Sequence, residues 1–218
     1  MKLRKSAKRF LTIILIIAII VGGYFVYKTF IDNGEVKEVK VIHRIPKYGY
    51  ELKDNKDSRY KKMFYQLEKI LKKSDVSEEK YVKKISEMFI YDFYTLSNKS
   101  AKTDVGGTDF VYDKAVDNFI LNAEDTYYKY VESNIYNQRH QDLPKVTSIK
   151  IDKVEKTSYK YVDNQETTKV RYSDKEDTEA YKVKVSWNYN SGKYDSYQKE
   201  ATLIFIHDGI KLVLVELQ

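Results

Sequence analysis

From Phe10 to Tyr27 the chain reads FLTIILIIAIIVGGYFVY, a run without a charged side chain. At about 1.5 Å of rise per residue, a helix of this length covers about 27 Å, close to the hydrocarbon thickness of a bilayer. A helix pairs all its own backbone groups, as hydrocarbon demands. Lys2, Arg4, Lys5, Lys8 and Arg9 stand ahead of the run, with no acid among them. Cations in that position stay in the cytoplasm, so the rest of the chain is expected outside. Tyr24 and Tyr27 fall where amphipathic rings suit the headgroup layer. A buried core helix is a poor reading of a uniformly apolar stretch starting at residue 10. The competing reading is a cleaved signal peptide, with Val21-Gly22-Gly23 as its cleavage context. Apolar residues continue through Val26, which favours a retained anchor. With no cysteine to acylate, a lipoprotein is excluded.

This divides the chain into a cytoplasmic tail (1–9), a transmembrane helix (10–30), a connector (31–56) and one extracytoplasmic domain (57–218). The formal charge of +7 falls to +2 once the five leading cations are set aside. The basic balance is therefore a topology signal, and nucleic acid is not an expected partner, since that would need a basic face on the folded part. A hydrophobic fraction of 42% and an aromatic fraction of 14% supply a real core. The lack of cysteine removes disulfides, thiolate nucleophiles and thiolate metal sites.

Along the connector, Val36, Val39, Val41 and Ile45 suggest one short strand, and Pro46 and Tyr48-Gly49-Tyr50 an extended or turning path. Met63, Phe64, Leu67, Ile70 and Leu71 fall on one face of a helix starting at Asp57 or Ser58 and ending near Lys73. A second helix is expected from Asp75 or Ser77 to about Leu96, with Asp75 and Glu78 spaced as a capping box. A third spans roughly Tyr112 to Glu132, its apolar face running through Val116, Phe119, Ile120, Ala123, Tyr127 and Tyr130. After Pro144 the period changes from about 3.6 to 2. Strands are expected around Thr147–Ile151, at Thr168–Tyr172, over Tyr181–Tyr189 and over Ala201–His207. Asp208-Gly209 forms a hairpin turn into Ile210–Leu217. Helices first and an antiparallel meander second is the α+β order.

No reaction is written in these residues. Gly106-Gly107 lacks both the Lys-Ser/Thr ending of a phosphate loop and the third glycine of a dinucleotide fingerprint, so a backbone turn is expected there. His43, His140 and His207 are the three histidines and fall on separate segments, so neither a metal nor any other cofactor is expected. No Gly-x-Ser-x-Gly elbow exists. Asp174, Glu176, Asp177 and Glu179 read as a solvated loop between strands. The residues placed to line a ligand site, if the interior is hollow, are Trp187, Tyr189, Tyr91 and Tyr127; the alternative is that these rings are the core. Exposed tyrosines suit a protein interface.

The anchor, the Val105-Gly106-Gly107 turn before the third helix, Trp187 and the strands around Asp208-Gly209 make a layout that resembles a known family. It is that of the bitopic assembly components of type IV secretion and conjugation machines. The resemblance implies a cone-like fold shared with nuclear transport factor two and the cystatins, three helices on a curved antiparallel sheet, and a scaffolding role without catalysis. Its expected partners are membrane lipid around the N-terminal helix and other envelope proteins or a second copy of itself. Its expected location is the cytoplasmic membrane, single-pass, with the N-terminus inside. Two other classes stay open. One is a small-ligand module. The other is an envelope hydrolase, which would need a perturbed carboxylate or histidine in a cleft, with His207, Asp104 and Asp109 as its candidates.

Overall fold

In the computed structural model, residues 17–24, 38–164 and 172–218 are described. The chain divides into two units: residues 17–24 fall in the smaller, and Val39–Asn134 with Arg139–Gln218 form the larger. Residues 17–24 are helical, with Ile17, Ile19, Ile20, Val21 and Tyr24 exposed. The rest of the span expected over 10–30, and the tail before it, lie outside the described residues. Among the described residues no helix is long and apolar enough to cross a membrane.

The larger unit begins earlier than residue 57. Strands β1 (Val41–Ile45) and β2 (Tyr50–Lys53) pair antiparallel across a 3-10 turn over Pro46–Tyr48. Gly49 closes that turn at φ 69°, a left-handed conformation that glycine enters without steric cost. Ile45, Tyr48, Tyr50 and Leu52 are buried in the main core, so the end of the expected connector is part of the fold. The alternation there is too short to announce two strands, and Pro46 breaks it.

Helix α1 (Ser58–Leu71) is capped by Asp57, whose carboxylate accepts the Tyr60 amide at 2.9 Å. Tyr60, Met63, Phe64, Leu67 and Leu71 form its buried stripe. Helix α2 (Glu78–Tyr94) is capped by Ser77, not by Asp75, and carries Glu78 and Glu79 in its first turn, where acids complement the helix dipole. Its last turns, Met88 to Tyr94, are almost entirely buried, so α2 is the central element. The third helix is half its expected length. Residues Asp113–Ala115 make a 3-10 turn, α3 covers only Val116–Asp125, and the chain leaves the helix at Thr126, whose hydroxyl bonds back to the Asn122 carbonyl at 2.6 Å. The helical register expected through Tyr127 and Tyr130 is thereby broken, although Tyr127 still packs, partly buried, against the main core. Tyr128 is fully buried instead and Tyr130 is exposed.

The sheet is a four-stranded antiparallel meander, β3 (Val146–Asn164), β4 (Tyr172–Tyr189), β5 (Glu200–Asp208) and β6 (Lys211–Leu217), in sequence order. Val183, Val185, Trp187, Leu203, Phe205, Leu212 and Leu214 turn one face into the core that holds α1 and α2. The last hairpin turn is Gly209–Ile210, one residue later than expected, with Gly209 at φ 60°.

The unexpected feature is a long ribbon. Thr168 and Val170 lie outside the described residues, but Tyr172 opens a strand that continues unbroken to Tyr189. The carboxylates read as a solvated loop are therefore strand residues: Asp174 pairs with Val162, Glu176 with Lys160 and Asp177 with Tyr159. Glu176 and Asp177 thus lie opposite a basic and an aromatic residue of the neighbouring strand. From Tyr172 to Ala180, β4 pairs only with β3, and the register slips between Thr157 and Tyr159. Such a slip bends the strand and increases its twist. The ribbon then returns over the far face of the sheet. There the Tyr159 hydroxyl donates to Glu216 on β6 at 2.6 Å, and Tyr159 and Tyr161 pack on a second small core of Tyr112, Ala180, Ile206 and Val213.

Candidate functional site

Three of the four residues expected at a ligand site come together. Trp187 is buried on the sheet with the Tyr94 ring 4.3 Å away, and Tyr127 stands edge-on to Tyr94 at 4.9 Å. Tyr189 donates its hydroxyl proton to the Gln198 carbonyl at 3.0 Å and accepts from Tyr127 at 2.7 Å. Burial pushes the Tyr94 and Tyr127 hydroxyls well above the ordinary tyrosine range, so both stay neutral. These rings fill the space between α2 and the sheet. The Trp187 indole N–H is buried without a partner of good hydrogen-bond geometry. Tyr91 belongs elsewhere: its hydroxyl donates to the Asp57 carboxylate at 2.5 Å, and the Arg59 guanidinium lies 4.7 Å from its ring.

The Gly106-Gly107 turn does hold an anion, and the anion is the protein's own. Asp92, in the last turns of α2, accepts the Gly107 amide at 2.8 Å, Lys56 at 2.7 and 2.8 Å, and Lys99 at 2.9 Å. Asp92 and Lys99 are both nearly inaccessible. Burial pushes the Asp92 carboxyl up, but Lys99, Lys56 and the Gly107 amide outweigh it and hold the group well below the usual carboxylate range. The Gly106 amide donates to the Tyr128 hydroxyl at 3.1 Å, which itself donates to the Phe93 carbonyl at 2.6 Å. A Cβ on Gly106 would fall on the Asp92 carbonyl oxygen and Lys99 Nζ. Sequence reasoning found the turn but not its occupant.

The hydrolase candidates do not converge. Asp104 accepts the Ser100 amide and hydroxyl in a local turn. Asp109 lines a surface hollow with Lys47, Asp113, Asp208 and Lys211; its carboxyl is raised, chiefly by burial. His207 instead ties three elements together. Its amide and Nδ1 meet Asp177 Oδ2 at 2.7 and 2.9 Å, and its Nε2 lies 3.3 Å from Glu78 at the start of α2. Glu78 also accepts the Tyr181 hydroxyl at 2.9 Å. This cluster clamps the root of the ribbon to the helix. Among the described residues no group of three or more acids and histidines is arranged to hold a metal ion.

A recess of about 1220 Å³ lies against β3, β4 and β5 and is bounded by Asp195, residues 197–202 and Gln218. Exposed Ser148, Lys150, Asp152, Lys184 and Asn188 line it. Charges of both signs alternate there: Lys150 pairs with Asp152 at 2.7 Å, and Lys199 with Asp195. Asn188 donates to the Ser148 hydroxyl at 2.9 Å. The trough is larger than the clefts that usually enclose small molecules, and charged side chains stand along it.

No protein-family model, no curated protein and no solved structure matches this chain.

Proposed function

We propose that the chain is a single-pass membrane protein whose larger unit stands outside the cytoplasmic membrane as a non-catalytic scaffold for other envelope proteins. The apolar run Phe10–Tyr27 behind five cations supports the anchor and its orientation. The observation that carries the scaffolding role is the trough on β3–β5, with self-paired charges of both signs, an arrangement that suits a polar, mixed-charge protein segment. Helices on one face of an antiparallel meander whose far ribbon folds back support the cone-like layout. With the resemblance above, they suggest a component of a conjugation or secretion assembly, an argument by layout alone. A small ligand held by Trp187, Tyr189 and Tyr127 would require rings now in mutual contact to part.

Two measurements test this reading. A reporter fused after Gln218 is expected to be active only outside the cytoplasm. A photo-crosslinking residue at Ser186, in the trough, is expected to capture a discrete envelope protein in intact cells, while one at Lys83 on exposed α2 surface is not. Capture at neither position would overturn the scaffold; a cytosolic reporter would overturn the topology.

A further inference from the structure

The start of the larger unit carries an apolar patch set among cations. Val39, Val41, Ile42 and Tyr65 are 47%, 37%, 50% and 44% exposed. In a regular strand Val41 and Ile42 would point to opposite faces. Here the register slips by one residue between Val41 and His43, and both side chains stay in solvent. Tyr65 on α1 stands beside the same strand, its ring 5.4 Å from that of His43. Lys40 and Lys53 flank the strand, and Lys69 stands one helical turn beyond Tyr65. The acids beside the patch are engaged: Glu68 accepts His43 at 2.8 Å and Lys72 at 3.0 Å, Glu51 pairs with Arg44 at 2.9 Å, and Asp54 accepts the Lys40 amide at 3.2 Å. Glu38 is the nearest acid in sequence.

We infer that this patch rests on the membrane itself, its apolar side chains among the lipid headgroups and its lysines against anionic lipid. The inference rests on the anchored reading and goes beyond it. Two arguments select lipid over a protein. First, the chain from residue 28 to Val39 reaches at most about 40 Å even when fully extended, so an anchor ending at Tyr27 would keep β1 within that reach of the bilayer surface. Second, apolar side chains ringed by lysine are the composition that binds anionic lipid interfaces, where burial and charge act together. Leu121 and Ile210, also exposed, stand on other elements and lack such a tether.

The test uses the full-length protein in vesicles. The chain has no cysteine, so Ile42→Cys, Ile210→Cys and Ile17→Cys each give one site for an environment-sensitive fluorophore. Quenchers carried at headgroup depth and deep in the acyl chains report position. In phosphatidylglycerol-containing vesicles, the label at 42 is expected to be quenched several-fold more by the headgroup quencher than the label at 210. The label at 17 is expected to be quenched by the deep one. Replacing the anionic lipid with phosphatidylcholine, or introducing Lys40→Glu with Lys69→Glu, is expected to lower quenching at 42 and leave 17 unchanged. Equal quenching at 42 and 210, or quenching at 42 indifferent to lipid charge, overturns the membrane-resting patch while the signal at 17 keeps the anchor. Loss of the signal at 17 overturns both.

Discussion

The Gly107 amide donates to the Asp92 carboxylate across 2.8 Å, and this bond joins the turn before α3 to the buried end of α2. With Lys56 and Lys99 on the same carboxylate, one side chain bridges two cations and closes a turn.

Asp92→Asn is expected to destabilise the unit by about 3–5 kcal/mol, because it leaves Lys99 buried without its counter-charge. Urea unfolding followed by circular dichroism measures this. A loss below about 1 kcal/mol would show that the lysines find other partners.

Acid should act on buried Asp92 and half-buried Asp109 with opposite signs. The folded Asp92 carboxyl is held below its ordinary value of about 3.9, so its contribution is complete above that pH and is lost as pH falls through the folded value. Asp109 is raised, chiefly by burial, so its ionised form costs stability above the raised value and costs nothing once protonated. Asp109→Asn is therefore expected to stabilise by about 1 kcal/mol at pH 7, with the gain gone below about pH 4. Paired unfolding curves across that range check both signs.

Two glycines should respond differently to alanine. At Gly106 the added methyl group meets backbone and a buried lysine, and a loss of about 3 kcal/mol is expected. At Gly49 nothing lies within 4 Å of the added Cβ, but φ is +69°, so only the left-handed penalty of about 1 kcal/mol remains. Thermal melts of both variants separate crowding from backbone strain.

Trp187 is the single tryptophan, and its burial predicts blue-shifted emission that moves to the red on unfolding. Trp187→Ala should cost about 3–5 kcal/mol through the cavity it leaves. Trp187→Phe should cost about 1–2 kcal/mol, since most of the ring volume is kept and the N–H it removes has no partner of good hydrogen-bond geometry. If the phenylalanine variant were as unstable as the alanine one, the indole N–H would be making a bond that the geometry lacks.

Helix α1 was readable because its cue is local: Asp57 caps it, and Met63, Phe64, Leu67 and Leu71 keep helical spacing. The same rule overran α3, since Tyr127 and Tyr130 continue the period after the backbone has turned away at Thr126. The carboxylates of β4 looked like loop because their partners, Lys160 and Tyr159, sit on another strand. The Asp92 node was hidden for the same reason, as Lys56 lies 36 residues away in sequence. Trp187, Tyr189 and Tyr127 lie near one another, linked by the Tyr94 ring and the Tyr127–Tyr189 hydroxyl contact. Tyr91 is not among them, because its position late on α2 turns it toward Asp57 and Arg59.

The returning ribbon has a consequence for how the polypeptide is made. Tyr159 leans on Glu216, 57 positions downstream, and the apolar floor beneath the ribbon comes from Ile206 and Val213. A chain delivered from its N-terminus presents β3 and β4 well before that floor exists. The ribbon must wait, unsupported, until the final hairpin emerges. During that interval its tyrosines are open to a chaperone, a protease or a neighbouring copy, and a truncation that removes only β6 would make the wait permanent.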